Sequence, residues 1–271
     1  MTTARMPIVF FGHGSPTVAI ETSPVTRQWR QMALSWQRPK AILCISAHWI
    51  TRGTAVTAMT RPKTIHDFGP LHPDLFKVQY PAPGAPDLAK RVQSLLSPKP
   101  VALDQGQWGL DHGAWSVLVK AYPEADVPVV QLSMDAALSP AGHYALGQKL
   151  APLRDEGVLI IGSGNTVHNL GTMSWSERAG APYDWAKRFS DYIRDAVAND
   201  QPDRVIGYAD QGADAQKAQP TPDHYWPLLY VLGARRPGDA VSIPVDYIEY
   251  KSVGMTSFIL GEAQPLTPLA A

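Results

Sequence analysis

The chain has 271 residues, 45% hydrophobic and 18% charged, with 24 Lys plus Arg against 24 Asp plus Glu. The balanced charge gives no global field to hold nucleic acid or an anionic membrane, and the apolar content supports a globular core rather than disorder. The single cysteine, Cys44, excludes an internal disulfide framework and any cysteine-based zinc motif.

Taken in chain order, the first apolar run is "PIVFF" (7–11), which stops at "GHGSP" and delivers His13 between two glycines. It is too short for a signal-peptide core, and no run of about 18 apolar residues exists to cross a membrane, so a cytoplasmic protein is expected. "SPVTRQWRQMALSW" predicts a helix with Ser23 as N-cap and Pro24 at its first position. "AILCIS" (41–46) reads as a buried strand with Cys44 as an inert core thiol, and His48 follows it. "TAVTAM" (54–59) is a candidate edge strand. The loop "TIHDFGP" carries His66 beside Asp67, either a pocket residue or a turn. "APDLAKRVQSLLS" and "DHGAWSVLVKAYP" are helical by period. His112, at the start of the second, meets the positive end of a helix, which favours neutral imidazole.

"VPVVQLSM" (127–134) and "GVLIIGS" (157–163) are two more buried strands, and "SPAGHYALGQKLAPL" between them repeats the Ser-Pro helix start with Ser139 and Pro140. His143 in that helix, like His72 earlier, is expected at the surface. His168 follows the 157–163 strand in "GSGNTVHNL". "YDWAKRFSDYIRDAVAND" predicts a further helix. His224 in "TPDHYWPLLYVLGA" lies near a helix start that Thr221 and Pro222 could open, although Pro227 could delay it. "AVSIPVDYIEY" (240–250) and "SVGMTSFIL" (252–260) could add antiparallel edge strands, and the tail from about 262 is expected to fray.

Continuous apolar strands alternating with amphipathic helices predict one α/β domain over 1–271, with a largely parallel central sheet flanked by helices. In such sheets ligands bind beyond the carboxyl ends of the strands. His13, His48 and His168 all fall at such ends, and glycines 12, 14, 162 and 164 let the backbone turn tightly beside them. Each histidine alone could be a turn or core residue. Together they point to metal ligation. The chain has no H-E-x-x-H, no G-x-S-x-G elbow and no phosphate loop, so the residues alone leave the reaction open.

Eight segments in order, "GHGSP", "SAHW", "TIHDFGP", "YPAPG", "GLDHGAW", "VQLSM", "GSGNTVHN" and "HYWPLLYVLGA", resemble the class III extradiol ring-cleaving dioxygenases, and among them the single-chain DOPA dioxygenase branch. The resemblance covers about residues 6–260. It implies a mononuclear Fe(II) site, with zinc a frequent occupant, and dioxygen as co-substrate. It implies His13, His48 and His224 as metal ligands. His168 is similar to the family's acid/base histidine, or to a fourth ligand, and His112 resembles a catalytic substrate-pocket histidine. His66 and Tyr225 are further candidates for substrate contact, and Trp49, Phe68, Trp115 and Trp226 could line an aryl pocket or simply pack the core. The implied substrate is a small catechol, DOPA opened at the 4,5 bond to a seco-DOPA that cyclises to betalamic acid; 2,3 opening would lead to muscaflavin. Three histidines with an open position also suit a zinc hydrolase, and a non-catalytic metal-binding protein is a third reading.

Overall fold

The apolar runs of the sequence lie side by side as the centre of one sheet. In the computed structural model, which describes residues 5–270, β1 is Ile8–Gly12, α1 Pro24–Leu34, β2 Ala41–Thr51, β3 Thr54–Thr57, α2 Pro86–Leu96, β4 Val101–Asp104, α3 His112–Ala121 and β5 Val129–Asp135. Then come α4 Pro140–Leu150, β6 Val158–Gly164, α5 Asp184–Ala198, α6 Pro202–Ile206, α7 Ala213–Ala218 and α8 Trp226–Gly233. The last strands are β7 Val241–Asp246, β8 Ile248–Glu249, β9 Val253–Gly254, β10 Ser257–Leu260 and β11 Leu269–Ala270.

The main sheet runs β11-β7-β10-β1-β6-β2-β5-β3-β4. Its central strands β1, β6, β2 and β5 are parallel, whereas β10 joins β1 antiparallel, β7 joins β10 antiparallel, and β3 joins β5 antiparallel. This is the expected single α/β domain with antiparallel strands outside a parallel centre. With a side-chain period of two and cover on both faces, the first halves of the central strands are apolar at nearly every position. Ile8 and Phe10 point into one core with Leu146, Leu228 and Tyr230, while Val9 and Phe11 point into the other with Trp29, Trp115 and Leu118. Ser23 and Ser139 cap α1 and α4 as expected, each with proline in the first turn. Among the described residues, no helix is long and apolar enough to cross a membrane.

Three expectations change and one strand was not foreseen. β4 carries no strong apolar alternation and is visible only through its parallel pairing with β3. β2 runs on to Thr51, past the expected end, because it bulges. Ile45 pairs Leu132 and Ile50 pairs Met134, so five steps on β2 meet two on β5. The tail is docked rather than frayed: Gln264 N–H donates to Ser35 O, the Gln28 amide donates to Thr267 O, and β11 pairs with β7, whose edge would otherwise leave backbone groups unpaired.

His143 is the third changed expectation. It is fully buried, with Nδ1 hydrogen-bonded to Tyr230 Oη at 3.0 Å and its ring 4.4 Å from Trp226. His143, Leu146, Gly147 and Leu150 form one buried helical stripe, the i, i+3, i+4, i+7 pattern that polar neighbours obscured. Burial lowers its pKa from 6.5 to about 4. Because the folded value is the lower one, the folded state carries no penalty above pH 6.5 and loses stability as pH falls from 6.5 toward 4. Over that window the loss is about 3 kcal/mol. Denaturant titrations at stepped pH are expected to show this acid limb in the native chain and a flatter one in His143→Gln. Equal slopes in the two proteins would refute the assignment.

Candidate active site

Three neighbouring strands bring histidines to one end of the sheet. β1 ends at Gly12, and His13 follows with its N–H on Gly164 O. The β2 bulge turns His48 out of the ladder, with its N–H on Ser46 Oγ at 3.2 Å. Beyond β6, His168 is held by its own N–H on Ala218 O and by an isolated bridge to Val253. His112 opens α3 and projects from its first turn. His224 precedes α8, which starts at Trp226 with Pro227 in its first turn, so that proline begins the helix instead of breaking it. A Cβ on Gly164 would overlap the carbonyl of His224, and one on Gly113 would meet the His48 ring, so both glycines are required for the approach.

The five imidazoles form one cluster. The ring centroids of His13, His48 and His224 are 5.2, 5.3 and 4.9 Å apart, nearly an equilateral triangle. His112 is less symmetric, 3.8 Å from His48 and 6.0 Å from His13. His168 stacks on His224 at 3.4 Å with the ring planes within 5°. The Nε2 atoms of His13 and His48 face each other at 3.2 Å.

Neighbouring acceptors fix which nitrogen carries the proton. Ser163 Oγ donates its own hydrogen to Gly113 O, so it accepts from His13 Nδ1–H at 3.0 Å. Asp67 accepts from His112 Nδ1–H at 2.9 Å, and Asp223 from His224 Nδ1–H at 2.5 Å. In all three rings Nε2 is left as the lone-pair atom. Among the described residues, ligand atoms of His13, His48 and His112 lie within 4.8 Å of one another, as do those of His168, Asp223 and His224, and groups of this kind could hold a metal ion.

Electrostatics keep His13, His48 and His168 neutral. Burial, reinforced by the other histidines, pushes His13 and His48 well below the usual imidazole range, and burial with His224 lowers His168 to about 3. Burial alone would raise the Asp67 and Asp223 carboxyls, but hydrogen bonds from His112 and His224 outweigh it and hold both below the ordinary value. Asp111, fully buried, is raised first by burial and then by Asp67. It caps α3 and accepts from Ser46 Oγ at 2.6 Å and from the Gln131 amide, bracing the base of the β2 bulge.

The remaining expected site residues fall outside the cluster. His66 Nε2 bonds Val78 O at 2.9 Å, and its ring is separated from His112 by Phe68, which meets His112 edge-on at 5.5 Å. Tyr225 is a core residue: fully buried, hydroxyl donating to Val205 O, ring 4.1 Å from Tyr208. Trp226 packs on His143, Trp115 donates to Ile65 O, and Trp49 stacks on Trp108 at 5.7 Å. Reading the sequence missed the roles of Ser163, Asp111 and Asp223, although Asp223 could have been noticed as the carboxylate next to a candidate ligand. A cavity of about 790 Å³ bounded by Pro24, Arg178, Pro182, Arg194 and Glu249 contains none of the histidines. Its charges are already paired, Arg178 with Glu249 and Arg194 with Asp246.

A largely parallel α/β sheet with imidazoles clustered at one end is the arrangement expected of a candidate metal site in a class of α/β proteins. Residues 6–261 match the family model described as the catalytic LigB subunit of aromatic ring-opening dioxygenase, and the chain belongs to that family, the class III extradiol dioxygenases. It is 47% identical to the "4,5-DOPA dioxygenase extradiol" of Escherichia coli K12 over 96% of this chain and 97% of that protein. It is 43% identical to the protein of the same name from Beta vulgaris over 83% of this chain and 85% of that one. The crystal structure of an uncharacterized Escherichia coli K12 protein superposes with a TM-score of 0.82 at 44% identity, covering 95% of this chain and all of the other. The chain is an extradiol ring-cleaving dioxygenase.

Proposed function

We propose that the protein is an Fe(II)-dependent dioxygenase that cleaves DOPA, with dioxygen as co-substrate, at the 4,5 bond to seco-DOPA. The near-equilateral His13–His48–His224 triangle carries this reading. An imidazole nitrogen about 2 Å from a shared ion puts ring centroids about 5 Å apart at near-tetrahedral angles. The triangle matches that spacing, and the His48–His112 pair is too close for it. The Nε2 atoms of His13, His48 and His224 would hold the iron, with His112 and His168 beside it. Bound Fe(II) supplies the one-electron chemistry between catechol and dioxygen that redox-inert zinc cannot.

The remaining work belongs to the protein. His168 is neutral, and its ring has no hydrogen-bond partner among the described residues, so it is free to take a proton from a catechol hydroxyl. Its ring lies 3.4 Å from that of His224 with the planes within 5°, so the two rings' lone pairs lie in separate parallel planes, which favours acid/base work beside the ion over ligation. His112, with Nε2 unprotonated, offers a second acceptor on the His48 side. His48 and His168 are the partly exposed members of the cluster, so the mouth through which a catechol enters lies on their side. Phe68, edge-on to His112, gives an apolar flank for an aryl ring. The DOPA assignment follows the names of the bacterial and plant relatives.

Anaerobic reconstitution of metal-free protein with Fe(II) or Zn(II), followed by DOPA and air, tests the proposal. Iron alone is expected to support oxygen uptake and a yellow product whose structure reports the bond cleaved. Turnover of simple catechols but not DOPA would overturn the substrate. Hydrolysis of an ester or amide by the zinc form, with no oxygen uptake by the iron form, would overturn the reaction.

A further inference from the structure

The loop 64–68 is clamped to the start of α3 more firmly than a connecting segment requires. Ile65 N–H donates to Leu110 O at 2.7 Å, Thr64 bridges Leu110, and the Trp115 indole donates to Ile65 O at 2.7 Å. The product of this clamp is the placement of one carboxylate. Asp67 Oδ1 accepts from both the backbone N–H and the Nδ1–H of His112, each at 2.9 Å. Asp67 Oδ2 lies 3.9 Å from His48 Nδ1. One residue therefore closes a two-point ring with His112 and backs the neighbouring imidazole.

We propose that Asp67 is a positioning residue that locks His112 in the Nδ1–H tautomer and aims its Nε2 lone pair at the substrate. The role rests on the dioxygenase reading only for the identity of that substrate. An imidazole with a free Nδ1 edge samples two tautomers and several ring angles. A carboxylate can only accept, so it selects one tautomer, and the shared backbone bond fixes the angle. An amide at the same place can turn its NH₂ toward Nδ1, shifting the proton to Nε2 and converting His112 from acceptor to donor. An isosteric Asp→Asn change behind a catalytic histidine acts through the tautomer while geometry persists.

Two readouts test this. In full-length zinc-loaded protein labelled with ¹⁵N-histidine, His112 is expected with Nδ1 protonated and Nε2 unprotonated, whatever the substrate proves to be; a protonated Nε2 in the wild type overturns the proposal without any variant. In Asp67→Asn the His112 signals are expected to shift toward the Nε2–H form, and in Asp67→Glu to stay with Nδ1–H. In the iron-loaded enzyme, Asp67→Asn is expected to lower kcat at least about tenfold while KM changes less and metal content holds. Added to His112→Gln, the same substitution is expected to lower kcat no further, because its route is already cut. An undiminished effect in that background, or an Asn variant with native kcat, overturns the proposal. Failure of wild-type turnover with DOPA would count against the substrate reading and leave the tautomer measurement standing.

Discussion

His13→Ala is expected to abolish ring cleavage and to lower metal affinity by at least about 100-fold, more than the loss of a partner behind a ligand costs. His13 is the most buried corner of the triangle. It is 1% exposed, its Nδ1–H is fixed by Ser163, and its Nε2 faces that of His48. Removing it leaves two imidazoles, which cannot hold a divalent ion against water and buffer as three do. Asp223→Asn should fall between the native chain and His13→Ala, at about 10- to 100-fold weaker binding, because His224 keeps its nitrogen but loses the acceptor that sets its tautomer. His143→Gln serves as the control, since it empties a buried histidine site without touching the triangle. Elemental analysis after dialysis against a graded chelator, with oxygen uptake on the same samples, reads all three. A His13→Ala protein that keeps one metal per chain would remove the triangle from the argument and bring His112 forward as the third ligand.

His168→Ala is expected to retain metal and lose about 10²- to 10⁴-fold in kcat. The ring has no hydrogen-bond partner to break among the described residues, and its backbone is held independently by Ala218 O and Val253. Structure and metal therefore survive its loss. What disappears is the neutral base beside the ion. Its imidazole is kept neutral by burial and by His224, so its lone pair is unprotonated before substrate binds. Comparing single-turnover rates with metal stoichiometry separates the roles. Metal lost in proportion to activity would make His168 a fourth ligand, and unchanged kcat would remove it from the chemistry.

The strands were readable because a strand buried on both faces has to be apolar at every position. "IVFF", "AILCI" and "VLII" meet that requirement, "VVQL" departs from it only at Gln131, whose amide is satisfied by Asp111, and each became a central strand. Ser-Pro starts located α1 and α4 because the cap and the proline act locally. β4 failed the same reading because an edge strand of four residues, half of it partly exposed, needs no apolar run. His143 was misplaced because polar neighbours were weighed above its own helical stripe. The docked tail could not be anticipated, since the partners that hold it, Ser35 and β7, are far away in the chain.

The sequence by itself determined the class of fold, the strand ends that His13 and His168 follow, and, through eight ordered motifs, the family, whereas His48 lies inside the bulged β2. Those signals are local: periodicity, caps, glycines beside histidines, short strings. Only the tertiary structure decided that β1, β6 and β2 are adjacent, so that these residues meet, and that His224 completes an even triangle while His112 and His168 stand beside it. It also decided the partners that set each proton: Ser163 for His13, Asp67 for His112, Asp223 for His224. A tautomer is chosen by whatever oxygen lies within 3 Å or so of a ring nitrogen, and two of those three oxygens come from segments 45 and 150 residues away in the chain.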